Sequence, residues 1–243
     1  MELVPQRPTL AQELSTVEPL KRGRTQAREG KRVLPVSDAD VDATLRHLPR
    51  QVATMVQLQR LTGARPGEIC QLRPCDLDRS EAVWTFRPPA HKRSHAGESR
   101  EIYIGPKGRK LLGPFLLRAG EAPCFSPREA ESERLDARTA ARRTPRAVGN
   151  VVDLERRQEL LESLGAAYTV DVYRRAIARA CERAGVKRWA PHQLRHSAAT
   201  ALRSRFGIEA ARIMLGHSDA TLTAEVYAER DRSHALKIAQ EVG

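Results

Sequence analysis

The chain has only four cysteines and no long apolar run, and each of these two shortages excludes a class of protein. No stretch approaches the roughly 18 to 20 apolar residues that span a bilayer. The first thirty residues are polar and charged, so no signal peptide is expected either. Cys70, Cys75, Cys124 and Cys181 form no Cys-x-x-Cys pair and are too sparse for a disulfide scaffold. We therefore expect a cytoplasmic protein whose thiols serve as small core hydrophobes.

Positive charge is abundant in this sequence. Among 243 residues, Lys and Arg number 42 against 30 Asp and Glu, which gives a formal net charge of +12. Hydrophobic residues make up 40% of the chain, enough for a real core, so the charge does not indicate disorder. A folded, strongly basic chain most often binds a polyanion, and nucleic acid is the leading candidate. Association with the nucleoid is the corresponding expectation for its location.

The amino-terminal segment differs from the rest of the chain. Residues 1–35 show no sustained apolar period but contain a basic cluster, which indicates an arm or linker rather than a packed element. Its candidate DNA-binding residues are Arg22, Arg24, Lys31 and Arg32. A solvated tail that contacts nothing is the alternative.

From Ser37 onward the pattern predicts a mainly helical domain with a small sheet. Ser37 is a plausible N-cap, and Gly63 and Gly185 are natural helix ends. The apolar periods predict helices over residues 37–48, 50–63, 67–72, 107–117, 153–164, 170–184, 191–203 and 208–215, and from 223 past 227. Alternating residues predict strands over 82–87 and 101–104. We expect a basic hairpin loop over 88–100, an exposed excursion over 126–150 and a turn at 76–78.

Several polar side chains occur where the predicted helices begin or end. Arg65 lies at a helix junction, and His192 and Arg195 lie three residues apart in the first turn of another helix. A helix start with a cationic side chain is a good anion site, because the backbone N–H groups and the dipole add to the guanidinium. Glu68, one turn after Arg65, can hold that arginine by an ion pair or cap the helix.

The sequence also contains a candidate nucleophile and a candidate general acid. Tyr227, ten residues after His217, offers a hydroxyl that can attack once a phosphate charge is neutralised. Lys92 in the hairpin loop is suited to protonating a leaving alkoxide. His91 and Arg93 beside it are candidates for phosphate contacts.

A metal site is the weaker explanation of the paired histidines. His192 and His196 are four residues apart, but the residues between them include no Glu, unlike the zinc-protease pattern. A cation beside Arg195 is also unfavourable. Asp76 and Asp78 lack the further carboxylates of a magnesium nuclease. We expect no metal and no nucleotide cofactor.

Taken together, these motifs resemble the motif boxes of the tyrosine recombinases, the phage integrase family. The matching segments, in order, are Thr62-Gly63-Ala64-Arg65-Pro66-Gly67-Glu68, His192-Gln193-Leu194-Arg195-His196, Leu215-Gly216-His217-Ser218 and Val226-Tyr227. Carried over position by position, the resemblance implies that a scissile phosphate is surrounded by Arg65, His192, Arg195 and His217. It also implies that Tyr227 is the nucleophile, Lys92 the catalytic lysine and Glu68 a support for the first arginine.

The resemblance further implies a fold, an activity and an assembly. The fold is the tyrosine-recombinase catalytic domain, mainly α with a small antiparallel β-sheet, over residues 36–243, and residues 1–35 would be linker from a missing DNA-binding domain. The activity is site-specific DNA cleavage and rejoining through a 3′-phosphotyrosyl intermediate without a cofactor. The protein would be a homotetramer on two double-stranded DNA sites and a monomer without DNA.

Two departures from the family pattern leave alternatives open. The chain carries one residue more between His217 and Tyr227 than the family usually has, and one residue rotates a helix by about 100°. In addition, only about 35 residues precede Ser37 where relatives carry a further DNA-binding domain. The alternatives are a catalytically inactive DNA-binding remnant and a topoisomerase-like nicking and rejoining enzyme.

Overall fold

The computed structural model describes residues 16–17, 33–90, 100–143 and 154–216. The chain divides into two units, residues 1–33 and residues 34–243. All elements below belong to the second unit.

The first two helices begin where the sequence predicts, and the second also ends there, whereas the first ends at Leu45, three residues before the predicted end. Helix α1 (Asp38–Leu45) is capped by Ser37, whose hydroxyl accepts a hydrogen bond from the Asp40 N–H at 3.1 Å. Helix α2 (Arg50–Thr62) ends at Gly63, which has a left-handed φ of 65° that favours glycine. A short helix α3 (Pro66–Cys70) follows after two further residues. The junction that contains Arg65 is therefore a tight corner between α2 and α3.

A three-stranded antiparallel sheet follows α3. Its strands are β1 (Leu77–Asp78), β2 (Trp84–Phe86) and β3 (Ile102–Ile104), in that order across the sheet. The predicted turn at 76–78 is wrong in part, because Leu77 and Asp78 pair with Phe86 and Thr85 as an edge strand. Two residues are too few for an alternation pattern, so the sequence offered no strand signal there.

Three helices cover the middle of the chain. Helix α4 (Pro106–Leu112) continues into a 3₁₀ turn (Gly113–Phe115), and helices α5 (Pro127–Ala140) and α6 (Leu154–Ser163) come next. The excursion expected over 126–150 is described as far as residue 143; this part is mostly exposed, but it forms the regular helix α5, which buries only Ala130. A helix with one buried residue has no apolar stripe, so its periodicity was invisible in the sequence.

The last two described helices frame the carboxyl-terminal side of the unit. Helix α7 (Val170–Ala184) is capped by the Thr169 hydroxyl and ends at Gly185, as predicted. Helix α8 (Pro191–Leu215) is interrupted at Gly207, whose φ of 86° and ψ of 172° are not helical. The predicted division into two helical segments is thus confirmed.

The core lies between α2, the sheet, α7 and the start of α8. It buries the apolar faces of these elements, including Met55, Leu58, Phe86, Ile102, Ile104, Tyr173, Ile177 and Leu194. Three of the four cysteines are buried, and burial raises the pKa of the Cys70 and Cys124 thiols to about 12. Cys75 is exposed, so the expectation that the thiols serve as core hydrophobes is wrong for this residue. Among the described helices, none is long and apolar enough to cross a membrane.

Candidate active site

Two helix starts, those of α3 and α8, are built in the same way. Each has proline at its first position, where the missing N–H costs nothing. In each helix the third residue reaches back to the backbone before the helix. Glu68 Oε2 accepts from the Arg65 N–H at 2.7 Å, and Gln193 Oε1 accepts from the Ala190 N–H at 3.0 Å. These bonds fix the backbone that carries Arg65 and His192.

A buried polar network holds the corner that precedes Arg65. The Gln59 amide donates to the Ala64 carbonyl at 3.0 Å. The Tyr173 hydroxyl, on α7, donates to Oε1 of the same Gln59 at 3.1 Å. Both Gln59 and Tyr173 are fully buried. Because buried polar groups are costly unless bonded, this network specifies one position of the corner.

Arg195 is buried and lies between the ends of two helices. Only 6% of the surface of Arg195 is exposed to solvent. Its Nη1 donates to the Gly63 carbonyl at 2.7 Å and its Nη2 to the Leu215 carbonyl at 2.8 Å. Both carbonyls lie at helix carboxyl ends, where a cation is favoured by the helix dipole. Arg195 thus connects the end of α2 to the end of α8, two residues before His217.

Arg65 is held by Glu68 but stays partly open to solvent. Its Nη1 donates to Glu68 Oε1 at 2.9 Å, and Glu68 is only 2% exposed. The Arg65 side chain retains about a quarter of its exposure (26%). A charge-assisted contact to a buried carboxylate restricts the guanidinium and leaves it facing solvent. Glu68 thus contacts Arg65, and its supporting role in catalysis stays a prediction.

His192 interacts electrostatically with both Arg65 and Arg195. Partial burial of its imidazole lowers its pKa below the ordinary value of 6.5, and the positive charges of Arg195 and Arg65 lower it further. The His196 ring packs against it edge to face, with ring centroids 5.5 Å apart. At neutral pH His192 is therefore a neutral hydrogen-bonding group beside two guanidinium ions. An incoming phosphate would be attracted to this position.

Arg100 is a neighbour of this site that the sequence analysis missed. Its residue is 7% exposed, and its Nε lies 3.5 Å from Glu68 Oε1. The sequence counted Arg100 as part of the basic hairpin loop. A signal was present, since strand alternation puts residue 100 on the same face as Ile102 and Ile104, and that face is buried.

The described part of the chain brings four of the predicted residues together at the corner of α2, α3 and α8. These are Arg65, Glu68, His192 and Arg195. The other predicted residues lie outside the described ranges: Lys92, His217 and Tyr227, and the DNA-binding candidates Arg22, Arg24, Lys31, Arg32, His91 and Arg93. In the described ranges, no three His, Cys, Asp or Glu side chains are clustered as metal ligands would be.

Comparison with solved structures gives tyrosine recombinases. XerA recombinase has a TM-score of 0.52 at 19% identity, with 90% of this chain and 67% of that chain covered. XerH recombinase in a post-cleavage complex with a palindromic difH substrate has 0.53 at 16%, with 89% and 55% covered. A lambda integrase tetramer bound to a Holliday junction has 0.54 at 14%, with 89% and 55% covered. The chain thus spans between half and two thirds of their lengths, and the shared feature is the fold.

The sequence itself was compared in two ways. No curated protein sequence matches it significantly. The sequence profile described as "Phage integrase family" matches residues 37–234, which is most of the chain and includes every motif quoted above. The chain therefore belongs to the phage integrase family, with the mainly helical fold and small antiparallel sheet of the tyrosine recombinases.

Proposed function

We propose that this chain is a site-specific DNA recombinase that cleaves and rejoins DNA through a 3′-phosphotyrosyl intermediate. The observation that carries the proposal is the convergence of Arg65 and Arg195 on His192 at paired helix starts. Two guanidinium ions and a neutral imidazole can hold the two non-bridging oxygens of one phosphodiester and stabilise the charge of its transition state. Arg195 also binds the Leu215 carbonyl, and His217 comes two residues after Leu215. His217 is the fourth residue proposed to contact the phosphate.

The reaction conserves the energy of the broken bond. The Tyr227 hydroxyl gives its proton to solvent water and its oxygen attacks phosphorus, which forms a phosphotyrosine with the 3′ side and breaks the bond to the 5′ oxygen. Lys92 gives its proton to that oxygen, so a free 5′-hydroxyl leaves. Attack by the 5′-hydroxyl of a partner strand reverses these steps and releases the tyrosine. No nucleotide or metal is consumed.

Double-stranded DNA is the proposed partner, and a tetramer on two DNA sites is the proposed assembly. Two of the three similar structures are described as DNA complexes, and one of these is a tetramer on a Holliday junction. The formal charge of +12 supplies affinity that does not depend on sequence and that falls steeply with salt. The cytoplasm, at nucleoid DNA, is the proposed place of action.

A covalent trap tests the proposal. The protein is incubated with a nicked duplex that carries its attachment site, so that the short 5′ fragment diffuses away, and the adduct is measured after SDS denaturation. Wild type should give an adduct and Tyr227→Phe none. Tyr103→Phe is the matched control, since Tyr103 is a strand residue whose hydroxyl donates to Glu101, and its adduct should equal that of wild type.

Each other outcome selects a different function. DNA binding without an adduct, in wild type and also in a longer form with an added DNA-binding domain, would identify an inactive remnant. Relaxation of a supercoiled plasmid by a monomer, without strand exchange, would identify a topoisomerase-like enzyme.

A further inference from the structure

Arg100 is a buried cation with too few partners. Its Nη1 donates to the Glu101 carbonyl at 2.9 Å. Its Nε and Nη2 are buried and have no hydrogen-bond partner among the residues described. Burial lowers the pKa of this guanidinium, the Glu68 carboxylate opposes that shift, and the positive charge of Arg65 adds to it. Because an underbonded buried charge costs stability, Arg100 is a candidate for a role other than stabilising the fold.

Two contacts of Arg100 reach the site described above. Glu68 Oε1 lies 3.5 Å from its Nε, so Arg100 and Arg65 share one carboxylate. The guanidinium also packs against Gly216: a Cβ placed on that glycine would overlap Nη1 and lie 2.9 Å from Cζ. Gly216 has a left-handed φ of 60° and is followed directly by His217.

The position of Arg100 in the chain relates these contacts to the other residues of the proposed site. Arg100 lies two residues before Ile102, the start of β3, and ends the segment that contains Lys92. It therefore joins three parts of the proposed machinery: the strand after the lysine segment, the carboxylate that holds Arg65, and the turn before His217.

We propose that Arg100 is a positioning residue for DNA cleavage, which holds Glu68, and through it Arg65, against the Gly216 turn that leads to His217. This inference rests on the proposed function, but its structural half can be tested without DNA. Arg100 is too buried to bind the DNA backbone at the surface, so its loss should slow cleavage and leave DNA affinity nearly unchanged.

The first experiment measures single-turnover adduct formation by Arg100→Met, Arg100→Lys and Arg100→Ala. We expect Arg100→Met to slow the step about 10- to 100-fold, as is typical of groups that orient functional side chains. The dissociation constant for DNA should change less than about threefold at fixed salt. Low concentrations of guanidinium chloride, but not equal NaCl, should restore part of the rate of Arg100→Ala. Arg87→Met is the matched control, because exposed Arg87 on the same sheet loses the same charge, and its rate should equal that of wild type.

A second variant moves the guanidinium without removing it. Gly216→Ala should displace the Arg100 side chain and slow the adduct step as Arg100→Met does. Gly207→Ala is its control, because Gly207 also has a positive φ in α8 but has open space around it. If one contact is responsible, the double variant Arg100→Met with Gly216→Ala is no slower than the slower single variant.

A readout on the free protein separates this inference from the function. The Arg65 Nη–H signals in ¹H–¹⁵N spectra report the Glu68 contact, and they should lose their protection from exchange in Arg100→Met but not in Arg87→Met. An unchanged Arg65 signal, or an Arg100→Met adduct rate equal to that of Arg87→Met, would overturn the inference and leave the function intact. An altered Arg65 signal together with no adduct from wild type would retain the positioning contact and reject the recombinase function.

Discussion

A hydrogen bond of 2.8 Å joins the Arg195 guanidinium to the Leu215 carbonyl, and so links the two segments of helix α8 on either side of the break at Gly207. Because the same guanidinium bonds Gly63, one side chain determines how the end of α8 meets the corner that carries Arg65. A residue proposed to bind the phosphate is thus also part of the framework that places its neighbours.

Arg195→Lys should lower both stability and cleavage. Lysine has a single ammonium in place of the planar fork and cannot bond both carbonyls in this geometry. Hydrogen bonds to charged groups contribute about 1.5 to 3 kcal/mol each, so we expect a loss of about 2 kcal/mol in the free energy of unfolding. Urea denaturation measures it. Arg174→Lys on the exposed face of α7 should change this free energy by less than about 0.5 kcal/mol, and equal losses in the two variants would contradict the bracing role.

Tyr173→Phe should destabilise the corner before Arg65. The substitution keeps the ring but leaves Gln59 Oε1 without its donor in a fully buried place. An unsatisfied buried acceptor costs about 1 to 3 kcal/mol, which urea denaturation should detect. Phe115→Leu, which removes core volume without touching a hydrogen bond, serves as comparison. Hydrogen exchange at the Gln59 side-chain amide, which donates to the Ala64 carbonyl, should rise in Tyr173→Phe alone, and faster exchange in both variants would argue against the network.

Gly63→Ala should cost more stability than Gly185→Ala. Both glycines end helices with nearly equal φ values, 65° and 66°, so the backbone strain of alanine is the same. A Cβ on Gly63 would overlap Leu215 Cδ2, whereas one on Gly185 meets nothing within 4 Å. We expect about 1 kcal/mol for Gly185→Ala and about 1 to 3 kcal/mol more for Gly63→Ala, by denaturant unfolding. Equal costs would show that the contact with Leu215 yields freely.

Arg65→Ala should raise the pKa of His192 in the free protein. Removing one of the two positive charges that act on the imidazole makes its protonation less unfavourable. An NMR titration of the His192 ring measures the shift, with Arg87→Ala as a distant charge control. No change in Arg65→Ala would mean that the arginine is too far away to share a phosphate with this histidine.

The same pKa makes stability depend on pH in a defined window. The folded pKa of His192 lies below the ordinary 6.5, so the unfolded state takes up the proton first as pH falls. The contribution of His192 to stability is therefore complete above about pH 6.5 and declines below it. His192→Gln should flatten the fall in unfolding free energy below pH 6.5. A slope as steep as in wild type would assign the dependence to other groups.

The sequence predicted those features that are encoded locally. Ser37, Gly63, Gly185 and the break near Gly207 mark helix ends through caps and backbone conformation, which depend on a few adjacent residues. The four site residues could be grouped because the family motifs preserve their spacing. Strand β1 and helix α5 were missed, since one is two residues long and the other buries a single side chain.

Long-range packing accounts for the rest. The bond from Arg195 to Gly63 joins residues 132 positions apart, and the bond from Tyr173 to Gln59 joins residues 114 positions apart. Both bonds depend on tertiary packing, so the sequence could not predict them. Arg100 lies between the two cases, because strand alternation indicates its burial, but its contacts with Glu68 and Gly216 depend on where β3 packs.

The separation between Arg195 and Gly63 also bears on when the site comes into existence. Contacts this distant in sequence close a large loop and form late, once most of the entropy of the chain has been lost. A nascent or partly unfolded chain in which α8 has not docked lacks the bond to Gly63 and the corner it braces. Under the proposed function, the ability to cut DNA is consequently confined to the completed fold, and an immature or damaged copy would keep the positive charge without the assembled site.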